Sequence, residues 1–281
     1  MRVVVTGAKG RLGSRLMEEL SARGHDPHGT DMDTLDVTDW TAVRRLINGF
    51  RPQAVIHAAA WTDVDGCAKD PERAYRQNGL GAGNVAAACA ESRALMVYVS
   101  TNEVFDGRQT SRPYWEYDMP APINPYGYSK WAGEQMVMRS TTRHQIVRTA
   151  WLFAHGGRNF IQAILGAAQA GKPLRVVTDE VSNPTYTDDL AEALAALMET
   201  ERAGIFHLVN DGVTSRYDFA RYVLDQAGYG DTPITPITQA DWPRPSTPPA
   251  HGGLVNHAAA SLGVRLRPWQ QAVSAFLDRE G

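Results

Sequence analysis

The sequence predicts an α/β protein, a doubly wound parallel sheet with helices on both faces. Three observations carry that expectation. Strand-like runs alternate with stretches of helical period through residues 2–153. The run AVIHAAA (54–60) is apolar nearly throughout, as a strand covered on both faces must be. The first run, RVVVTG (2–7), ends on a glycine that opens a turn into a helix.

Taken in order, RVVVTG is the first strand. GSRLMEELSARGH follows as a helix, with Leu16, Met17 and Leu20 at helical spacing and a stop at Gly24. HDPHGTD (25–31) is a weak second strand, weakened further by Pro27. AVIHAAA is the third strand, and residues 70–93 form one long helix. ALMVYVST (94–101) is another buried strand. PYGYSKWAGEQMVMRS (125–140) is a helix with proline in its first turn, and QIVRTAWLF (145–153) is a strand. Helices are expected over 157–171, 187–201, 215–228 and at the chain's end, with short strands at 174–177 and 205–210. Residues 231–253 hold six prolines and are loop-rich. Residues 1–151 read as mainly a Rossmann-like dinucleotide-binding domain. Residues 152–281 read as mainly a smaller C-terminal substrate-binding lobe, interleaved with the first.

With 281 residues, 43% hydrophobic and 21% charged, the chain has the profile of a globular protein with a substantial core. A net charge of −3 without a long basic run argues against nucleic acid as a partner. No apolar run reaches the ~20 residues of a membrane span, and the start lacks a signal-peptide pattern. The two cysteines, Cys67 and Cys89, form no disulfide framework and suit a reducing cytoplasm; both are expected to be inert. The eight histidines include no HxxxH pair, so no metal site is expected.

The ligand crevice of such a fold lies at the carboxyl ends of the strands. TGAKGRLG puts Gly7, Gly10 and Gly13 three apart between a strand and a helix. That arrangement lets backbone approach a pyrophosphate at a helix N-terminus. Lys9, Arg11 and Leu12 belong to the same loop. Asp31, near the end of the second strand, is positioned to accept from an adenosine ribose. Lys9 or Arg11 could instead pair with a 2′-phosphate, which leaves NADPH and NADH both open.

NPYGYSK (124–130) poses the question of which tyrosine works with Lys130. On a helix of ~3.6 residues per turn, Tyr126 lies about 40° from Lys130 and Tyr128 about 160°. Tyr126 therefore shares its face. A nearby ammonium is expected to lower the phenol's pKa and suit it to proton donation.

The glycine loop, STNEVF (100–105) after a strong strand, and YxxxK behind it together resemble the extended short-chain dehydrogenase/reductase family. The resemblance covers nearly the whole chain. It implies that Thr101 bonds the substrate carbonyl, Tyr126 is the general acid and Lys130 orients the tyrosine and cofactor. Within the family, LDVTD (35–39), HAAAWTDVD (57–65), RTAWLF (148–153), VSNPTYTDDLA (181–191) and GIFHLVNDG (204–212) resemble the dTDP-4-dehydrorhamnose reductase branch. This implies NAD(P)H-dependent reduction of a nucleotide-linked 4-keto-6-deoxy sugar by a monomer or homodimer. It also implies cofactor contacts at Asp36, Val37, Ala58, Ala59, Ala60, Asn78 and Ser100. Substrate contacts are implied at Thr62, Thr101, Asn102, Glu103, Trp151 and Asn159.

Two stretches depart from the branch. Asn102-Glu103 replaces an Asp-Tyr pair, and RPSTPPAHGGLVN (244–256) lacks the usual Ser-Leu pair. An acidic pair after the threonine is typical of the related nucleotide-sugar dehydratases, but Asn102 cannot ionise. The regulatory subunits of methionine adenosyltransferase also resemble this family, which makes a non-catalytic role the alternative from another class. Arg148 reads as a structural ion-pair partner and His57 as a core histidine.

Overall fold

A computed structural model describes residues 1–157 and 159–280. Strands β1 (Arg2–Thr6), β2 (Asp26–Thr30), β3 (Ala54–His57), β4 (Leu95–Thr101) and β5 (His144–Thr149) pair in parallel. A further parallel strand, Gly204–His207, pairs with β5 at the far edge. The order across the sheet is β2, β1, β3, β4, β5, then Gly204–His207. The chain leaves β1 toward one edge and crosses back for β3. That reversal is where such sheets take their ligands.

Helices α1 (Arg11–Ala22), α2 (Trp40–Phe50), α3 (Val64–Lys69), α4 (Pro71–Ala74), α5 (Gly81–Ser92) and α6 (Pro125–Ser140) connect the first strands. Helices α7 (Phe160–Gln169), α8 (Thr187–Glu199), α9 (Arg216–Gln226), α10 (Ala258–Ser261) and α11 (Trp269–Glu280) follow. Strand side chains alternate between faces. Val3 and Val5 pack with Leu12, Leu16 and Leu20 of α1 and with Leu190 and Leu194 of α8. Val4 packs in a second core with Val43 and Ile47 of α2, Val85 of α5 and Val137 of α6. Each fully buried aliphatic side chain contributes roughly 1.5–3 kcal/mol. Helix α8 and the Gly204–His207 strand thus build onto the sheet, although both come from the second half. The rest of that half surrounds an aromatic cluster of Phe153, Tyr186, Phe219, Trp269 and Phe276.

Several elements differ from the sequence expectation. Helix α2 was not anticipated, nor was the Ile234–Ile237 strand, which pairs with Leu174–Val177 inside the proline-rich segment. The expected helix over 70–93 is α4 and α5 joined by a π-helical turn, Tyr75–Leu80. The strand begun at Ala54 stops at His57, and the one expected over 145–153 stops at Thr149. Trp151 then turns the chain at φ +40°, a left-handed value that costs a non-glycine residue about 1–3 kcal/mol. Pro27 is tolerated because β2 is an edge strand. Among the described residues, no helix is long and apolar enough to cross a membrane.

Candidate active site

The carboxyl ends of β1 to β5 open into one cleft of about 760 Å³. Gly7, Gly10 and Gly13 line one end of it. Gly7 has φ +72°, and a Cβ there would stand 2.8 Å from the Ala59 nitrogen. A Cβ on Gly13 would overlap the Gly7 carbonyl. These two positions therefore hold the turn closed against β3. Gly10 caps α1 with no side chain of its own, an arrangement that suits an anion at a helix N-terminus.

Lys9, Arg11, Leu12, Asp31, Asp36 and Val37 line the same end. One oxygen of Asp31 accepts from the Lys9 backbone N–H at 2.9 Å, and the other from Met32 at 2.8 Å. The carboxylate thus ties the glycine loop to the end of β2. The Lys9 ammonium pairs with Asp33. Asp36 accepts from the Thr38 N–H and hydroxyl, both at 2.8 Å. Ala58, Ala59 and Ala60 form the floor after β3. A side-chain-free turn at a helix N-terminus, with a carboxylate at the next strand end, fits a dinucleotide.

At the centre stand Ser100, Thr101, Tyr126 and Lys130. Helix α6 starts there because Asn124 caps it, its Oδ1 accepting from the Gly127 N–H at 2.8 Å. Tyr126 and Lys130 both reach the cleft. Tyr128 is 52% exposed and lies beside Trp131. The Thr101 hydroxyl donates to Asn102 Oδ1 at 3.4 Å and accepts from the Glu103 N–H at 3.2 Å.

The electrostatics correct one expectation. Burial pushes the Tyr126 phenol well above its ordinary value, and Glu103 adds to the rise. The neighbouring Thr101 hydroxyl opposes the rise, and Lys130 does not offset it. Burial pushes the Lys130 amine down to about 7, against the pull of Glu134. Its Nζ lies 4.2 Å over the Tyr98 ring. Behind this wall Glu134 takes a hydrogen bond from Ser100 at 2.6 Å and pairs with Arg148 at 2.7 Å.

The third region holds Thr62, Asn102, Glu103 and Trp151. Burial raises the Glu103 carboxyl, whose Oε2 accepts from Asn124 at 2.7 Å. The two departing stretches touch each other here. Asn102 donates to the Gly252 carbonyl at 3.1 Å and to Ser182 at 3.3 Å, and a Cβ on Gly252 would meet the Asn102 amide.

Two expected contacts are not brought to the cleft wall. Asn78 is fully buried, and its amide is spent on the backbone of Trp61 (2.7 and 3.0 Å) and on Ser129 (2.9 Å). It fixes the loop after β3 from behind. Asn159 caps α7 and donates to the Ala154 carbonyl at 2.6 Å.

Sequence reasoning missed Arg216, whose guanidinium lies 3.5 Å over the Trp151 ring, and Arg73, which lies 4.2 Å over Trp61. It also missed Thr149 and Thr187, whose buried hydroxyls have no partner among the described residues. Only PTYTDDL, a polar start to a helix at a strand end, carried a signal for Thr187. His57 is a core histidine held by Thr6 at 2.7 Å, and burial lowers it to about 3. Cys67 and Cys89 are buried and unbridged, with Cys67 raised to about 11 by burial.

Comparison with known proteins gives a consistent relationship. The chain is 36% identical over 277 residues to the spore coat polysaccharide biosynthesis protein SpsK of Bacillus subtilis, covering 99% of this chain and 97% of that one. It is 37% identical to a dTDP-4-dehydrorhamnose reductase of Mycolicibacterium smegmatis, covering 97% and 84%. Among solved structures, dTDP-4-dehydrorhamnose reductase from Bacillus anthracis in complex with NADP superposes with a TM-score of 0.95 at 33% identity over 99% of both chains. The family model described as RmlD substrate binding domain matches residues 1–281, and the chain belongs to that family.

Proposed function

We propose that this chain reduces the C4 ketone of a dTDP-linked 4-keto-6-deoxyhexose, converting dTDP-4-dehydrorhamnose to dTDP-L-rhamnose. The reading rests on one observation: Thr101, Tyr126 and Lys130 line the same cleft as the glycine loop. Bound NADPH or NADH supplies the hydride that becomes the hydrogen at C4. Gly7, Gly10 and Gly13 hold its pyrophosphate, and Asp31 faces its adenosine ribose. The Thr101 hydroxyl bonds the C4 oxygen, and Tyr126 gives its proton to the oxygen as negative charge develops. Lys130 fixes the phenol and the cofactor's second ribose. Trp151 offers an aromatic wall to the sugar.

In this reading residues 1–151 chiefly hold the cofactor and residues 152–281 chiefly complete the substrate pocket. The chain acts as a monomer or homodimer, with the sugar nucleotide as its partner. The test is loss of absorbance at 340 nm when the protein meets NADPH or NADH and dTDP-4-keto-6-deoxy-L-mannose, with the product identified by NMR. Rapid oxidation yielding dTDP-L-rhamnose is expected. A second reading keeps the chemistry and changes the sugar. The mutual packing of Asn102 and Gly252 favours it, since both departing stretches meet beside the substrate region. Oxidation only with another 4-keto sugar nucleotide selects that reading. No oxidation with any of them, by protein that binds NADPH, removes both.

A further inference from the structure

Arg216 is a residue of the cleft wall to which the proposed reduction gives no role. Arg216 is the first residue of α9, and its guanidinium lies 3.5 Å over the Trp151 ring and 5.0 Å from Phe160. The two aromatic faces fix the plane of the guanidinium. Its one ion pair among the described residues is loose: Nε stands 3.6 Å from Glu180, beyond hydrogen-bond length. The side chain is 22% exposed, and the residue lines the cleft. Among the described residues its terminal nitrogens make no hydrogen bond to a protein acceptor. A guanidinium so placed offers two parallel N–H donors to an oxyanion.

Its place in the sheet says which anion. Trp151 follows β5, whereas the adenosine end of the cleft lies at β2. Four strand spacings separate β2 from β5, and at ~4.8 Å each the distance is roughly 19 Å. A phosphate on the cofactor's adenosine is out of reach. The guanidinium stacks on Trp151, which follows β5, and so lies at the end of the cleft away from the adenosine site.

We infer that Arg216, held flat on Trp151, is the site that takes the diphosphate of the nucleotide-linked sugar and so makes the enzyme select sugar nucleotides over free sugars. The inference rests on the proposed reduction and names the residue that recognises the substrate's charge. Losing a charge-assisted contact costs about 1.5–3 kcal/mol in total, which weakens binding roughly ten- to a hundredfold.

The test is calorimetric titration of the protein with dTDP, thymidine and NADPH, each alone. Wild type is expected to bind dTDP more tightly than thymidine. Arg216→Gln is expected to weaken dTDP binding ten- to a hundredfold, with thymidine and NADPH unchanged. Arg216→Lys, which keeps the charge but loses the fork, is expected to fall between the two and serves where Arg216→Gln does not fold. In turnover the same variants raise KM for the sugar nucleotide and leave kcat nearly unchanged. Equal dTDP affinity in wild type and either folded variant overturns the assignment. Wild type that binds NADPH but no dTDP overturns it together with the proposed reduction.

Discussion

Removing Arg148 tests the network behind the active site. The guanidinium and the Glu134 carboxylate are 2% and 0% exposed. Nε donates to Oε1 at 2.9 Å and Nη2 to Oε2 at 2.7 Å. Nη1 reaches the Glu116 carbonyl at 3.3 Å, and Ser100 supplies a further bond to Glu134. The pair ties β4, β5 and α6 together directly behind Ser100 and Lys130. Arg148→Met leaves the Glu134 charge buried with a single hydroxyl donor. Breaking one side of such a pair costs about 3–5 kcal/mol. At about 2.1 cal/mol/K per residue, a chain of 281 residues has an unfolding entropy near 0.6 kcal/mol/K, so Tm falls roughly 5–8 °C. Urea unfolding followed by circular dichroism measures the free energy directly. Adding Glu134→Leu to the same protein is expected to restore part of the loss, because no unpaired charge then remains. A single variant that loses less than ~1 kcal/mol, or a double variant that loses the sum of both singles, refutes the reasoning.

Tyr126→Phe is expected to lose most turnover with little change in NADPH affinity, while the outward-facing Tyr128→Phe is far milder; a more damaging Tyr128→Phe would remove Tyr126 as proton donor. Gly13→Ala forces a methyl against the Gly7 carbonyl and is expected to abolish NADPH binding, read by fluorescence titration, in protein whose circular dichroism is unchanged. His57 and His207 are both held near 3 by burial against an ordinary 6.5, so the unfolded chain binds more protons between those values. Their stability is fully present above pH 6.5 and is lost as pH falls toward 3. At ~1.4 kcal/mol per unit each histidine loses about 5 kcal/mol in full, together the size of a whole protein's stability. A urea midpoint unchanged from pH 7 to pH 4.5 would contradict this.

What the sequence disclosed follows from how local each signal is. The glycine loop, the buried strands and the facing of Tyr126 and Lys130 depend on spacing within one element, and spacing is visible in a sequence. Helix α2 was visible in principle: Asp39 caps it, and Val43 and Ile47 repeat at four residues. Only those two positions are buried, so its apolar stripe is narrow and the period is faint. The π-helical turn had no such signal. Within it Asn78 is tied to Trp61, seventeen residues earlier, and to Ser129, fifty-one later, contacts that no local pattern reveals. Arg216 was hidden for the same reason. Nothing in SRYDFAR distinguishes a surface arginine from one lying on a tryptophan sixty-five positions away.

The same limit explains why the tyrosine and lysine were tuned the wrong way by sequence reasoning. Spacing along α6 suggests an ammonium beside a phenol, and that pairing alone lowers the phenol. Desolvation depends on every element that closes over the pair, and here it outweighs the pairing for both groups. Burial favours the neutral form of each: a protonated phenol and an amine poised near 7. A phenol held neutral suits the reductive direction, because a ketone that has received hydride needs a proton and a protonated phenol can supply one. Oxidation of the alcohol would need the phenolate, which burial opposes. The neighbouring Thr101 hydroxyl lowers that penalty only in part. Both groups line the cleft, so what keeps the phenol protonated is set by all the elements that close over it and not by its own helix.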